Sequence, residues 1–200
     1  MSNIVTAMLA HLKISLVGVL LACAAGLPLA ALMVKRSKLS KFVFTIVDAL
    51  QTIPTLAMLT FLMLFLGLND KTVIAAIFLY SLFPVIRNTY VGLNGVDKGI
   101  IRAGKGIGMT KLQLFTKIRF PLAVPSILIG IRLAIVSALG IATTGVFIGA
   151  GGLGMLIWRG IQTRNMRMML SGAIPVCLLA LLFEYVLGQA ERKLTHKKTK

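Results

Sequence analysis

The sequence predicts an all-α integral membrane protein with five transmembrane helices, its amino terminus outside and its carboxyl terminus in the cytoplasm. Hydrophobic residues make up 58% of the 200 residues, whereas soluble domains contain about 45–50%. The apolar residues are gathered in long segments, and the basic residues lie in short clusters between them. These segments occupy most of the chain, so no second, soluble domain is expected beside them.

Five segments are apolar enough to cross a bilayer, which requires about 20 residues in a helix. The predicted spans cover residues 14–34, 42–66, 73–96, 121–150 and 168–187. Each contains proline, which is more frequent in membrane helices than in soluble ones. Residues 1–190 therefore form one membrane domain, and residues 191–200 form a basic cytoplasmic tail.

The basic clusters set the predicted orientation, because cytoplasmic loops are enriched in Lys and Arg. Fifteen of these residues lie in the segments 35–41 and 97–119 and in the tail, against five on the opposite side. Three arginines between residues 159 and 167 depart from this rule. The net charge of +17 does not indicate nucleic-acid binding, because it is spread over loops that would instead face anionic lipid.

The segment AGKGIGMTKLQLFTKIRFPLA (residues 103–123) interrupts the apolar chain with glycines and cations. It is not a phosphate loop, because Gly106 follows Lys105 where Ser or Thr is required. Thr110 and Gln113 have the spacing of a capping box, which predicts a short helix. Met109, Leu112, Phe115 and Ile118 form its apolar stripe, and Pro121 is expected to end it. Such a helix could rest on lipid or dock a partner.

Four charged residues fall within the predicted spans. Asp48 and Arg87 lie at similar depths, as do Arg132 and Glu184. Charges inside membranes usually pair or face a cavity, so two structural pairs are expected. Snorkelling of each side chain to the headgroups is the alternative.

Polar residues in the second and fourth spans are candidates for a solute path. Gln51, Thr52 and Pro54 lie in LQTIPTL, where the proline releases a backbone carbonyl that is tolerated best in protein or beside a cavity. The fourth span contributes Ser137, Thr143 and Thr144. Its glycines at 145 and 149 also suit close helix contact, so packing and a path both remain open.

The loop at 97–120 resembles the cytoplasmic EAA loop of ABC importer permeases. The matching residues are Ala103, Gly106, Gly108, Phe120 and Pro121. Arg102 stands where the family has Glu, and Gly104 where it has the second Ala. The resemblance implies an ATPase-coupling helix; the residues it assigns there are Arg102, Ala103, Gly106, Gly108, Met109, Thr110, Leu112, Gln113, Phe115, Ile118 and Pro121.

Three further segments are similar to permease subunits of osmoprotectant importers. They are LQTIPTLAML (50–59), SLFPVIRNTYVGLNGVD (81–97) and IGAGGLGMLIWRGI (148–161). The resemblance implies a type I ABC importer permease core in the bacterial cytoplasmic membrane. It would carry a small compatible solute such as glycine betaine, carnitine or choline. Ergothioneine, a bile-related compound or methionine is the alternative cargo.

The same resemblance implies the partners. Two ABC ATPase subunits, a second permease subunit of the same or a related kind, and an extracytoplasmic solute-binding protein are expected. No catalytic constellation, cofactor or metal site is predicted, because the five acidic residues and two histidines do not cluster. An ATP-independent transporter or channel, or a membrane scaffold, is the competing class.

Overall fold

The computed structural model describes residues 4–196, and every regular element in that range is helical. Four helices are long and apolar enough to cross a membrane, and a bent pair would make a fifth span. The long helices are α1 (Ile4–Met33), α4 (Asp70–Asn94), α7 (Phe120–Thr144) and α9 (Met166–His196). The bent pair is α2 (Ser37–Thr52) and α3 (Thr55–Leu66). The predicted tail begins inside α9, and residues 197–200 lie outside the described residues.

The shorter elements lie at the ends of the long helices. They are α5 (Lys98–Gly106), α6 (Lys111–Leu114), a π turn (Phe115–Arg119), a 3₁₀ turn (Gly145–Ile148) and α8 (Leu153–Gln162). The first helix begins at Ile4, well before the predicted span at residue 14. The fourth predicted span, 121–150, is helical only to Ile148, because Gly149 adopts a left-handed conformation with φ of 74°.

Helices α1, α4 and α7 pack against one another and form the core. At Gly18 on α1, an added Cβ would lie 2.5 Å from the side chain of Ile77 on α4. At Gly130 on α7, it would lie 2.6 Å from the carbonyl oxygen of Pro84. Helix association in lipid depends on such close backbone approach, because lipid tails are as apolar as the side chains. The core therefore rests on small residues at the helix crossings.

The predicted span 42–66 is not one continuous helix, because α2 and α3 meet at an angle of 101°. Pro54 fixes its own φ and keeps the residue before it out of the helical region. Ile53 accordingly has φ of −73° and ψ of 126°. The proline in LQTIPTL thus breaks the helix and leaves a corner of exposed residues between α2 and α3.

Pro121 does not end the loop helix, which corrects a second expectation. Residues from Lys111 to Ile148 form one continuous helical segment, and the π turn lies immediately before Pro121. In that turn the Phe120 N–H donates to the carbonyl of Phe115, five residues earlier. A π turn can accommodate the bend that a proline imposes. Pro121 then occupies the first turn of α7, where proline is tolerated.

Gly130→Ala tests the close crossing of α4 and α7. The new methyl group would press on a backbone oxygen that cannot move aside. Overpacking lowers the free energy of unfolding by about 1–3 kcal/mol, so the melting midpoint of the purified chain should fall by about 2–10 °C. Gly140→Ala on the same helix is the matched control, because no atom lies within 4 Å of its added Cβ. Equal midpoints for the two variants would contradict this packing.

Candidate translocation cleft and coupling hairpin

An open cleft of about 560 Å³ lies where the α2–α3 corner faces α4 and α7. It brings together four of the predicted path residues, Gln51, Thr52, Pro54 and Ser137. The other two, Thr143 and Thr144, do not line it. Their hydroxyl groups donate to backbone carbonyls of α7, at 3.0 and 2.7 Å.

The side chain of Gln51 links this corner to α4 by a hydrogen bond. Its Nε2 donates to the carbonyl oxygen of Tyr80 at 2.7 Å. In a regular helix that carbonyl would accept from the N–H four residues later, but that residue is Pro84, which has none. Gln51 thus satisfies a carbonyl that a proline on another helix has released.

Tyr80 makes the reciprocal contact, and sequence reasoning missed it. The side chain is buried, and its hydroxyl donates to the carbonyl oxygen of Ile53, in the corner itself. Tyrosine usually finds a hydrogen-bond partner when buried. The spacing of Tyr80 to Pro84 was the available signal, but the sequence did not show which residue would supply the missing donor.

The lining of the cleft is neutral and partly aromatic. It includes the rings of Tyr80 and Phe83 beside Thr55, Leu133 and Ile141, and no charged side chain. The guanidinium of Arg87 lies 5.3 Å from the centre of the Phe83 ring. The wall of the cleft thus consists of apolar, aromatic and uncharged polar groups, with one guanidinium beside the Phe83 ring.

The structure brings both expected charge pairs together. Arg87 Nη1 lies 3.6 Å from Asp48 Oδ1, and both side chains are about half exposed. Arg132 Nη1 lies 3.4 Å from Glu184 and 3.3 Å from Glu191, both on α9. The second carboxylate, Glu191, was expected in the tail; it lies in α9 because that helix continues past residue 190.

The segment that carries the glycines folds into a helical hairpin of α5 and α6. Gly108, with φ of 82°, ends α5, and the N–H groups of Gly108 and Met109 donate to the carbonyls of Lys105 and Gly104. This is the Schellman pattern, which glycine favours. Gly104 lies at the crossing, where an added Cβ would come within 2.7 Å of Leu114. Two of the glycines thus have structural roles.

The capping box of Thr110 and Gln113 is present, as its spacing predicts. The Thr110 N–H donates to Gln113 Oε1 at 2.8 Å, and the Gln113 N–H donates to Thr110 Oγ1 at 3.2 Å. The predicted apolar stripe does not form the buried face of this helical turn, however. Leu114 is buried, whereas Leu112 is 71% exposed.

The remaining residues of the predicted coupling set have varied surroundings. Arg102, Ala103 and Gly106 are exposed on α5, and no atom lies within 4 Å of a Cβ added at Gly106. Met109, Phe115 and Ile118 are half-buried. Ile107, which the sequence did not single out, is 81% exposed at the hairpin tip. The hairpin therefore presents two exposed apolar side chains, Ile107 and Leu112.

The GAGGLG segment lies at the opposite end of the bundle and is held in place. The N–H of Gly151 donates to Asp70 Oδ1 at 3.1 Å. Gly152, with φ of 105°, packs on the buried His11, whose Nε2 lies 3.1 Å from the carbonyl oxygen of Leu139. These contacts join residues far apart in the chain and could not be predicted from the sequence. Within residues 4–196, no three His, Cys, Asp or Glu residues could hold a metal ion.

Comparison with known proteins identifies a protein family that this chain matches. The family described as binding-protein-dependent transport system inner membrane component matches residues 14–196. The glycine betaine/carnitine/choline transport system permease protein OpuCD of Bacillus subtilis (strain 168) is 45% identical over 191 residues, which is 95% of this chain and 83% of that protein. The carnitine transport permease protein OpuCB of Listeria monocytogenes is 43% identical over 94% of this chain and 86% of its own length.

A more distant relative and two solved structures extend the comparison. The osmoprotectant import permease protein OsmW of Salmonella typhimurium is 37% identical over 94% of this chain and 89% of its own length. The inward-facing MetNI methionine ABC transporter aligns with a TM-score of 0.84 at 22% identity, over 95% of both chains. An amino acid ABC transporter with histidines aligns with a TM-score of 0.79 at 20% identity, over 95% of this chain and 93% of that one. The two structures establish the fold.

The link between Gln51 and Pro84 predicts a non-additive pair of substitutions. Gln51→Leu leaves the Tyr80 carbonyl without its donor, which should cost about 1–3 kcal/mol. Pro84→Ala restores an N–H at the position that would donate to that carbonyl. In the Pro84→Ala background, the loss in free energy of unfolding caused by Gln51→Leu should therefore be smaller by about 1 kcal/mol or more.

Chemical denaturation of the four proteins of this cycle measures the coupling. A control cycle combines Gln51→Leu with Pro28→Ala instead of Pro84→Ala. Pro28 lies in the interior of α1, and Gln51 does not contact that turn. If the losses in free energy of unfolding for Gln51→Leu and Pro84→Ala are additive, the Gln51 amide does not compensate for the N–H that Pro84 lacks.

Proposed function

Because this chain belongs to the family of binding-protein-dependent transport system inner membrane components, we propose that its cleft carries a quaternary ammonium compatible solute. The chain is the permease subunit of an ABC importer and a multi-pass protein of the cytoplasmic membrane. Its relatives are transport subunits of a non-catalytic family that works with ATPases and binding proteins. The cargo proposed is glycine betaine, carnitine or choline.

The similarity of nearly the whole chain to glycine betaine, carnitine and choline permeases carries this proposal. The cleft supports it. A neutral lining that includes the Tyr80 ring suits a quaternary ammonium group, because aromatic faces attract cations. A solute with net negative charge would find no cation in that lining.

The proposed assembly contains two permease subunits, two cytoplasmic ATPase subunits and an extracytoplasmic binding protein. The amino terminus lies outside and the carboxyl terminus in the cytoplasm. This orientation is supported by the position of two basic clusters, since Lys35 and Arg36 line the same groove as Lys105, Lys111 and Arg119. Both clusters thus lie at one end of the bundle, opposite the GAGGLG segment.

The proposed coupling runs through the continuous helical segment that starts at Lys111. The ATPase docks on the exposed side chains of Ile107 and Leu112 at the hairpin. Its movement is transmitted through the π turn to α7. Ser137, on α7, lines the cleft, so a shift of this helix changes the lining directly. ATP-driven motion would then bias the bundle between inward- and outward-facing states.

Uptake in cells that lack other osmoprotectant importers tests the cargo. The chain, produced with its ATPase and binding protein, should support ATP-dependent accumulation of labelled glycine betaine, carnitine or choline. Ser137→Leu should reduce uptake by about tenfold or more, because the larger side chain fills the path. Thr60→Leu, on the exposed side of α3, is the control and should transport normally. Accumulation of methionine without any quaternary ammonium solute would reject the proposed cargo.

Two variants at the hairpin test the docking of the ATPase. Ile107→Ala with Leu112→Ala removes exposed apolar side chains that contribute little to the fold, so stability should change by less than about 0.5 kcal/mol. Co-purification of the ATPase with this double variant should fall sharply, since few residues dominate an interface.

Leu114→Ala is the contrasting variant, because Leu114 is buried against Gly104. It should lower the melting midpoint of the chain, as loss of a core leucine costs about 2–5 kcal/mol. Normal ATPase recovery and ATP-driven uptake by the Ile107–Leu112 double variant would exclude these two side chains as the docking surface.

A further inference from the structure

A basic groove lies between the end of α1 and the α5–α6 hairpin, with a volume of about 470 Å³. Five cationic side chains line it together with apolar residues. The cations are Lys35, Arg36, Lys105, Lys111 and Arg119. They come from two parts of the chain about seventy residues apart, so the fold, and not a local run of sequence, concentrates this charge.

Among the residues that the structure describes, no salt bridge balances the charge in the basic groove. The three salt bridges among the described residues involve Arg87 and Arg132, and none involves a cation of the groove. Asp97 is the acidic residue nearest in sequence to the hairpin, and it caps α5 by accepting from the N–H groups of Gly99 and Ile100. Cations gathered in this way repel one another unless an anion lies among them.

The rest of the groove wall is apolar. Ala31, Leu32 and Val34 from the end of α1 line it on one side, and Leu112, Leu114 and Phe115 line it on the other. Leu32 is 56% exposed. Because α1 is long and apolar enough to cross the membrane and ends at Met33, this wall continues directly from a lipid-facing helix. The groove therefore lies where headgroups meet acyl chains.

We propose that the basic groove binds the headgroup of an anionic phospholipid. The phosphate lies among the five cations, and an acyl chain runs along Leu32 into the bilayer. Basic pockets at the ends of transmembrane helices suit anionic headgroups in this way, and charge-assisted hydrogen bonds to phosphate are strong. The bound lipid would join the α1–α2 corner to the α5–α6 hairpin, whatever solute the cleft carries.

A tryptophan reporter in the full chain tests this site. Trp158→Phe removes the single native tryptophan, and Leu32→Trp then places one at the groove wall. The protein is reconstituted in phosphatidylcholine vesicles containing increasing fractions of brominated phosphatidylglycerol or brominated phosphatidylcholine, which quench a nearby indole. Leu20→Trp, at a site on α1 that is 66% exposed, reports on ordinary lipid contact.

Two triple variants with equal charge loss separate the groove from the general surface potential. Arg36→Gln, Lys105→Gln and Arg119→Gln change the groove lining. Lys38→Gln, Lys41→Gln and Lys117→Gln remove the same charge from exposed side chains outside it. Helicity and the melting midpoint are recorded for both, and the charge-intact reporter tests the proposal even where a triple variant fails to fold.

The proposal predicts that Leu32→Trp is half-quenched at about tenfold less brominated phosphatidylglycerol than brominated phosphatidylcholine. Leu20→Trp should show no preference, the groove triple should abolish it, and the control triple should retain it. Equal quenching by both lipids at position 32 would overturn the proposal. So would equal loss in both triples, or loss of the preference in excess inorganic phosphate, which would indicate a site for free anions. A groove triple that keeps the lipid preference but loses the ATPase would assign these cations to protein docking.

Discussion

The carbonyl oxygen of Tyr80, released because Pro84 has no N–H, is the constraint around which the centre of this protein is arranged. A buried backbone carbonyl without a donor costs about 1–3 kcal/mol, and non-helical backbone at membrane depth is tolerated only in protein or beside a cavity. Gln51 supplies the donor, at 2.7 Å, and the Tyr80 hydroxyl in turn satisfies the carbonyl of Ile53 at the α2–α3 corner. Each helix break therefore supplies a hydrogen-bond donor or acceptor to the other, and both lie at the wall of the cleft.

This arrangement joins the cleft to the end of the molecule that carries the basic clusters. Helix α7 crosses α4 closely at Gly130, and it is continuous with the π turn and with α6, the second helix of the hairpin. A displacement at the hairpin can therefore reach the cleft along one helix, with no flexible linker between them. The anionic lipid proposed for the basic groove would add a second connection, from the hairpin to α1.

Local patterns were predictable from the sequence, and contacts between distant elements were not. The capping box of Thr110 and Gln113 follows from a spacing of three residues, and the partnership of Asp48 and Arg87 follows from their similar depths. The bond from Tyr80 to Ile53 joins residues 27 apart, and the packing of Gly152 on His11 joins residues even further apart in the chain. No periodicity encodes those contacts.

Two sequence rules failed for identifiable physical reasons. Pro121 was expected to end a helix, but the preceding π turn widens the backbone and allows the helix to continue. The spacing of Met109, Leu112, Phe115 and Ile118 did not identify the buried position of this turn, which is Leu114, packed against Gly104.

The most direct test of the central claim, that the cleft is the solute path, is thiol accessibility in the working complex. Cys23 and Cys177 are replaced by alanine, and Ser137→Cys or Leu178→Cys provides one reactive thiol. The claim predicts that the rate at which a small charged reagent modifies Ser137→Cys changes when ATP is bound and falls when saturating solute is present. Leu178→Cys, on the exposed face of the membrane-spanning helix α9, is the control, and its modification should depend on neither ATP nor solute. A rate at Ser137→Cys that changes with neither ATP nor solute would contradict the account.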